Sequence, residues 1–512
     1  MTPRTRTINK PYTAIIALFC VLMALSLGCK QKRRWDTPGI LFHKTPNEVF
    51  KKLDIDAYDT VFTKVLDSLK PQLNNYKLIK NFYATHEEPV FLDSQLPNDG
   101  LKAMLDYYQR AGTHGFNPNM FQTEKLSQLI DQFYDKNAIR TPDQAYHAMA
   151  ELEAFTANSL INYSDDVQFG LINPKWIYPR YFAATREADS TSKMQVLNQN
   201  NLKAYLDSIQ PRDTQYVALQ KAYVNGDAIP GLSVEESKRI LLVNLERLRW
   251  RNKPAEDRYV LVNIPDFSLN VIDSGRSVLN MEVCVGQGRN MDYSKNLMHY
   301  DDTDKVDNPN EHETPILNSQ IYMAQVNPVW NIPQSIAKKE ISKEAQDDPL
   351  YFDNKGIDVY KNGKKLDDPS SIDWSTADIS DYDFQQRPGD QNSLGKIKFI
   401  FQNRSNVYLH DTPVQSAFLR KMRAVSHGCV RLQHPLDLAH NLFGDGKKYD
   451  LIMKDMAEDS PDPTDINLPK KVPVYITYFT CWADSTGTLQ YRGDVYGQDI
   501  VLFASLQKKL AN

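Results

Sequence analysis

At 512 residues, against a prior of roughly 150 per domain, the chain is expected to hold two to four domains. Hydrophobic residues make up 41% and charged residues 24%, which provides for sizeable cores and excludes disordered, collagen-like, low-complexity and polytopic membrane classes. The 60 basic and 64 acidic residues nearly cancel, so no global field gathers nucleic acid or anionic lipid, and recognition is local.

The basic residues Arg4, Arg6 and Lys10 precede an apolar run, residues 14–28, that falls short of the ~20 residues of a comfortable span and has the form of a secretory signal. The run ends in Ser26-Leu27-Gly28-Cys29, followed by Lys30-Gln31-Lys32-Arg33-Arg34. This resembles the lipobox of bacterial lipoproteins, although Ser26 stands where a strict lipobox has Leu, Val or Ile. Residues 1–28 are therefore expected to be a lipoprotein-type signal peptide, Cys29 a lipidated N-terminus and 29–46 a linker. An uncleaved anchor, or a cleaved signal with Cys29 incidental, is the alternative. All versions export the chain, and the basic residues after Cys29 favour a membrane-anchored periplasmic protein.

Between residues 47 and 80, apolar residues recur at three- and four-residue spacing (Val49, Phe50, Leu53, then Val61, Phe62, Val65, Leu66, Leu69), which predicts helix. Residues 100–111 and 145–163 continue the pattern, the second behind the start signal Thr141-Pro142-Asp143. Residues 112–121 (GTHGFNPNMF) are turn chemistry. A helical stretch over 202–224 is broken at Pro211, and the helix predicted over 233–250 opens on Ser233-Val234-Glu235-Glu236, which resembles a capping box.

From residue 258 the texture becomes that of β-sheet. Runs at 259–264 (YVLVNI), 268–273 (SLNVID) and 278–285 (VLNMEVCV) are separated by turn residues, and further strands are predicted at 321–326, 396–401, 407–409 and 474–479. Residues 290–313, rich in Asp and Asn, are expected to form a solvated loop. Residues 330–387 mix a helix-like start with turns and acidic residues, and a loop of that size beside a sheet is a candidate lid.

The chemistry concentrates in Tyr408-Leu409-His410-Asp411-Thr412-Pro413 and Ser426-His427-Gly428-Cys429-Val430-Arg431-Leu432, with fifteen residues between His410 and Ser426. A thiol with a free pKa of about 8.5 is mostly protonated at neutral pH, and a nearby imidazole overcomes that by taking its proton and later returning it to a leaving amine. Gly428 allows a tight turn whose N–H groups can converge on an oxyanion. The five cysteines (Cys20, Cys29, Cys284, Cys429, Cys481) form no disulfide or CxxC pattern. Cys284 and Cys481 read as small buried hydrophobes, whereas Cys429 sits among Ser, His, Gly and Arg. A zinc site built from His410, His427, Cys429 and His434 is the alternative, though its spacing matches no common structural zinc pattern. The remaining histidines (His43, His86, His114, His147, His299, His312, His440) read as surface or capped residues.

The pattern from His410 to Arg431 resembles the signature of the L,D-transpeptidases of bacterial peptidoglycan, the YkuD-type catalytic domain. Asn327-Pro328-Val329-Trp330-Asn331-Ile332-Pro333, Asn392-Ser393-Leu394-Gly395-Lys396-Ile397-Lys398-Phe399 and Pro473-Val474-Tyr475-Ile476-Thr477-Tyr478 are similar to the larger, lid-bearing members. Upstream, Asn81-Phe82-Tyr83, Gly115-Phe116-Asn117-Pro118 and Asn244-Leu245-Glu246-Arg247-Leu248-Arg249-Trp250 resemble their helical scaffold. Two departures stand out: only residues 225–238 fill the place of a peptidoglycan-binding module, and the acidic 290–313 segment precedes Thr314-Pro315.

The resemblance implies an α+β multidomain chain. An all-α scaffold (47–250) precedes a β-sandwich-like catalytic domain (258–482) with a helical and loop lid at about 331–390, then a C-terminal extension (483–512). It also implies that Cys429 attacks a stem tetrapeptide and releases D-Ala, with His410 as general base and acid. A backbone carbonyl near Asp411 would orient the ring. His427 and the N–H groups of Gly428 and Cys429 are oxyanion candidates, Ser426 is a supporting residue, and Arg431 holds the loop or a substrate carboxylate. An acceptor amine then gives a 3-3 cross-link, with no metal or organic cofactor and with carbapenem-type β-lactams as inhibitors. The rival readings are an L,D-carboxypeptidase or wall-protein attachment on the same site, and a non-catalytic wall-binding scaffold.

Overall fold

A computed structural model describes residues 36–45, 47–86, 89–250, 254–458 and 462–511. Cys20, Cys29 and the expected signal peptide lie outside the described residues. Among the described residues no helix is long and apolar enough to cross a membrane. The chain divides into two compact units, one built from the described residues up to 103 with 124–158 and 200–202, the other from 104–123, 159–199 and 203–512.

The first unit is helical. Its helix Ile55–Ser68 starts where the Asp54 carboxylate accepts from the Asp56 N–H, and buries Tyr58, Phe62, Val65 and Leu66 at helical spacing. Glu153, fully buried, accepts from the Tyr83 hydroxyl and from the N–H groups of Phe91 and Leu92 that open the helix Val90–Gln95. Burial pushes its carboxyl up to about 7 against those bonds.

The second unit is built on a nine-stranded sheet. In chain order the first thirteen strands are β1 (Arg258–Asn263), β2 (Ser268–Asp273), β3 (Arg276–Gly286), β4 (Leu317–Val326), β5 (Trp330–Ile332), β6 (Ile357–Lys361), β7 (Lys364–Lys365), β8 (Tyr382–Gln386), β9 (Ile397–Phe401), β10 (Leu409–His410), β11 (Ala424–Ser426), β12 (Val430–Leu432) and β13 (Thr464–Thr477). The main sheet runs β11-β3-β12-β10-β9-β4-β13-β1-β2, and β2 also pairs with β3, so the order returns on itself. Alternation decides which side faces the core: Val260 and Val262 in β1, and Ile397, Phe399 and Phe401 in β9, are buried while their neighbours are not. The strand predicted at 474–479 begins ten residues earlier, at Thr464, despite Pro469 and Pro473. A register shift between Asn467 and Val472 absorbs the interruption.

Three expectations are corrected. Residues 104–123, 159–199 and 203–250 fold with the sheet rather than with the preceding helices, because Tyr216, Leu219, Ile240, Leu241 and Leu245 share one apolar core with Val260, Val474 and Ile476. The 331–390 insert is more than a loop: β5, β8, β6 and β7 form a four-stranded sheet around Phe352, Val359, Trp374 and Phe384. The 290–313 segment is irregular apart from a short turn of helix, but Asn290, Asp307 and Glu313 in it are buried rather than solvated.

The helix Val234–Arg249 is capped by the Ser233 hydroxyl, which accepts from the Glu236 N–H. Its second half is buried on nearly every side, so its charges are paired internally. Arg249 meets Glu246 at 2.8 Å, Arg247 meets Asp499 at 2.5 Å, and Asn244 donates to Thr480 at 2.9 Å. Asp499 opens the helix Gln498–Leu510, whose Val501, Leu502, Phe503 and Leu506 join the core of the sheet. The C-terminal extension is thus part of the catalytic unit. His114, read from sequence as a surface or capped residue, is buried here: its ring meets the Tyr216 hydroxyl at 2.8 Å and Gln210 at 3.1 Å, and Arg249 donates to its carbonyl.

Candidate active site

β10 and β12 are parallel neighbours with Leu409 opposite Val430 and His410 opposite Arg431. Side chains alternate along strands, so Tyr408 and His410 face the same way, as do Cys429 and Arg431 on the adjoining chain. All four line one cavity of about 540 Å³. His410 also lies opposite Lys398 of β9. Sequence spacing set the two motifs apart; the parallel pairing brings them side by side.

His410 is 4% exposed, and its Nδ1 donates to the Asp411 carbonyl, which leaves Nε2 as the basic nitrogen of a neutral ring. Burial, with the Arg431 charge beside it, pushes the imidazole down to about 3, while the carbonyls of Asp411 and Leu394 pull the other way. The Asp411 carboxylate serves the backbone instead, accepting from the N–H groups of Lys396 at 2.9 Å and Thr412 at 2.7 Å. It packs against Gly395, whose positive φ and 2.4 Å clearance leave no room for a side chain.

The turn that carries Cys429 is folded by Ser426. Its hydroxyl donates to the Cys429 carbonyl at 2.5 Å and accepts from the Gly428 N–H at 3.2 Å. Gly428 has φ +113°, a conformation that favours glycine. The Gly428 N–H, one of the oxyanion candidates read from sequence, donates to the Ser426 hydroxyl in this structure. His427 is likewise engaged. Its Nε2 lies 2.7 Å from Glu340 of the lid, and its ring stands edge-on to His312 with centroids 4.6 Å apart. His312, read from sequence as a surface residue, therefore belongs to the cavity wall.

Burial pushes the Cys429 thiol up to about 11; the Tyr408 backbone and hydroxyl, then Arg431 and Lys398, moderate the shift. The thiols of Cys284 and Cys481 are held up more simply, by burial, to about 11 and about 12. Cys284 packs with Ala417 and Phe418, outside the cavity. Arg431 is partly buried, with its Nε lacking a hydrogen-bond partner among the described residues. No group of three or more His, Cys, Asp or Glu among them is arranged to hold a metal.

Supports that sequence reasoning missed come from far away in the chain. Thr314 Oγ1 donates to the Gly428 carbonyl and accepts from the Gly286 N–H, both at 2.8 Å. Tyr496 in turn accepts from the Thr314 N–H at 3.0 Å and donates to the Gly286 carbonyl at 2.8 Å. The Thr314-Pro315 pair was visible as a motif, but nothing local connects Tyr496 to Cys429.

Residues 257–456 match the YkuD family, described as the L,D-transpeptidase catalytic domain, and residues 77–222 match the Scaffold domain family. Residues 257–456 thus carry an L,D-transpeptidase catalytic domain. A curated Haemophilus influenzae protein named "Putative L,D-transpeptidase" is 27% identical over 328 residues, 63% of this chain and 61% of that protein. Among solved structures, the L,D-transpeptidase from Mycobacterium smegmatis (13% identity, 43% of this chain and 58% of that one) superposes with a TM-score of 0.18. The Ldtfm-avibactam carbamoyl enzyme (11% identity, 48% and 63%) gives the same TM-score of 0.18. Both superpositions are too weak to compare architectures.

Proposed function

We propose that this L,D-transpeptidase forms 3-3 cross-links in peptidoglycan through a cysteinyl acyl-enzyme. The observation that carries the reading is the shared face of β10 and β12, where a thiol and an imidazole with its Nδ1 tied to a carbonyl open on one cavity. Cys429 Sγ attacks the carbonyl carbon of the third residue of a stem tetrapeptide while its proton passes to His410 Nε2. The Cys429 N–H supports the oxyanion. The bond to D-Ala then breaks, with the proton delivered from His410 to the departing amine, and a thioester remains. An amine from a second stem attacks it, loses its proton through His410 and restores the thiol. Carbapenem-type β-lactams enter at the same acylation step, and no metal is called on.

Mass spectrometry of the purified protein after exposure to a carbapenem and to tetrapeptide muropeptides tests this. The expected result is an adduct on Cys429 and cross-linked dimers. Absence of any adduct favours the non-catalytic scaffold, and tripeptide without dimers favours the carboxypeptidase. Cys429→Ala is expected to abolish turnover and His410→Ala to lower it severely. We also propose export to the periplasm with lipidation at Cys29, for which Cys29→Ala should eliminate incorporation of labelled fatty acid.

A further inference from the structure

The cavity wall includes one residue from the Scaffold-family segment, Arg180. Its backbone is fixed against the strand that leaves the active site. The Arg180 carbonyl accepts from the Ile316 N–H at 3.1 Å, the Phe182 N–H donates to the Ile316 carbonyl at 2.7 Å, and Tyr181 bridges to Ile316. Tyr181 is buried edge-on against Trp250. Ile316 lies two residues beyond Thr314, which holds the Gly428 carbonyl, so Arg180 is tied to the same short piece of chain as the nucleophile turn.

The charge balance inside the cavity is uneven. Of its carboxylates, Glu340 is engaged by His427, and Glu311 by Lys339. Its guanidinium groups lack such partners: among the described residues no ion pair within 4.0 Å is formed by Arg180, Arg404 or Arg431. Arg180 Nε is buried without a hydrogen-bond partner. Arg404 sits on a turn organised by Asn403, whose side chain bonds the Phe401 and Val407 carbonyls and the Ser405 and Val407 N–H groups. Buried Glu313, which feels the Arg180 charge, does not neutralise it, since burial holds that carboxyl up at about 8. Unpaired, preorganised guanidinium groups in a partly enclosed cavity match a carboxylate ligand.

We infer that Arg180 is a substrate-binding residue that receives a carboxylate of the donor stem peptide, so that the scaffold segment forms part of the donor site. This rests on the transpeptidase reading. Three carboxylates of a tetrapeptide donor qualify, the C-terminal one, the one on the diamino acid and the free α-carboxylate of the γ-linked glutamate, and amidating each in turn distinguishes them. The test uses the full chain carrying Cys429→Ala, which cannot react, and measures donor binding by calorimetry with and without Arg180→Gln or Arg180→Lys. Arg180→Gln is expected to weaken binding of the unmodified donor about 10- to 100-fold. It should leave binding of the donor amidated at the recognised carboxylate unchanged, and Arg180→Lys should restore part of the loss. Equal affinities with and without Arg180→Gln would overturn the inference, as would equal losses for free and amidated donors. Iodoacetamide labelling of Cys429 in the Arg180→Gln protein with its cysteine intact checks that the turn is still formed. Lack of turnover by the unmodified enzyme with any donor would count against the transpeptidase reading itself, a separate outcome from loss of Arg180-dependent binding.

Discussion

Burial drives the Cys429 thiol up to about 11 and the His410 imidazole down to about 3, which in each case favours the neutral form. Alkylation of Cys429 by iodoacetamide is therefore expected to rise with pH beyond the free-thiol value of about 8.5; a plateau already reached at pH 6 would show a resident thiolate. His410→Ala should lower turnover by about 100- to 10,000-fold, the usual contribution of a positioned base. Thr314→Val removes the hydroxyl that joins the Gly286 N–H to the Gly428 carbonyl. It is expected to cost about 1–3 kcal/mol in denaturant unfolding and to lower the rate of acylation as well. At this scale the motif spacing brought His410 and Cys429 to notice, and the structure places both on the wall of one cavity. The partners of Gly428 and His427 were not legible, because a sequence does not say which group claims an N–H or a ring nitrogen. Ser426 and Glu340 claim them here.

The lid is the element whose nature sequence concealed. Its apolar residues are spread over short strands that read singly as loop, and only pairing across β5, β8, β6 and β7 reveals a core. Its contacts with the rest of the unit include Lys339 on Glu311 and Glu340 on His427, and all four side chains are partly exposed. Solvent screens such exposed pairs, a small hold for an element that roofs the cavity with Trp330 and Ile336. Glu340→Gln is accordingly expected to leave the thermal midpoint nearly unchanged while accelerating alkylation of Cys429 by a bulky thiol reagent. An unchanged rate would show that this contact does not limit access. The strands of the main sheet were far easier to read, since their Val- and Ile-rich runs are each bounded by turn residues; β13 was cut short only because prolines argue against an interior strand.

For the second unit as a whole, buried titratable groups set opposing limits. His114 and His410 are held down to about 3 from 6.5, so the stability they favour is present above pH 6.5 and lost as pH falls through that window. Glu313 is held up at about 8 from 4.5, so its contribution is present below pH 4.5 and lost as pH rises towards 8. Each such group changes stability by about 1.4 kcal/mol per pH unit inside its window. Glu313→Gln should therefore raise the thermal midpoint at pH 9 relative to the parent and change it little at pH 4. Breaking the buried Arg247 and Asp499 pair with Asp499→Ala is expected to cost about 3–5 kcal/mol, measured by denaturant unfolding. The Asn244 to Trp250 motif was visible beforehand, but its partners Thr480 and Asp499 were not, because ion pairing across such separations leaves no local pattern. The same distance has a consequence in time. Tyr496 completes the support of a turn whose cysteine is made well before it, and ribosomes add about 5–20 residues per second. During synthesis Cys429 therefore emerges on an unfinished mount, and its turn is fully supported only once Tyr496 has been added.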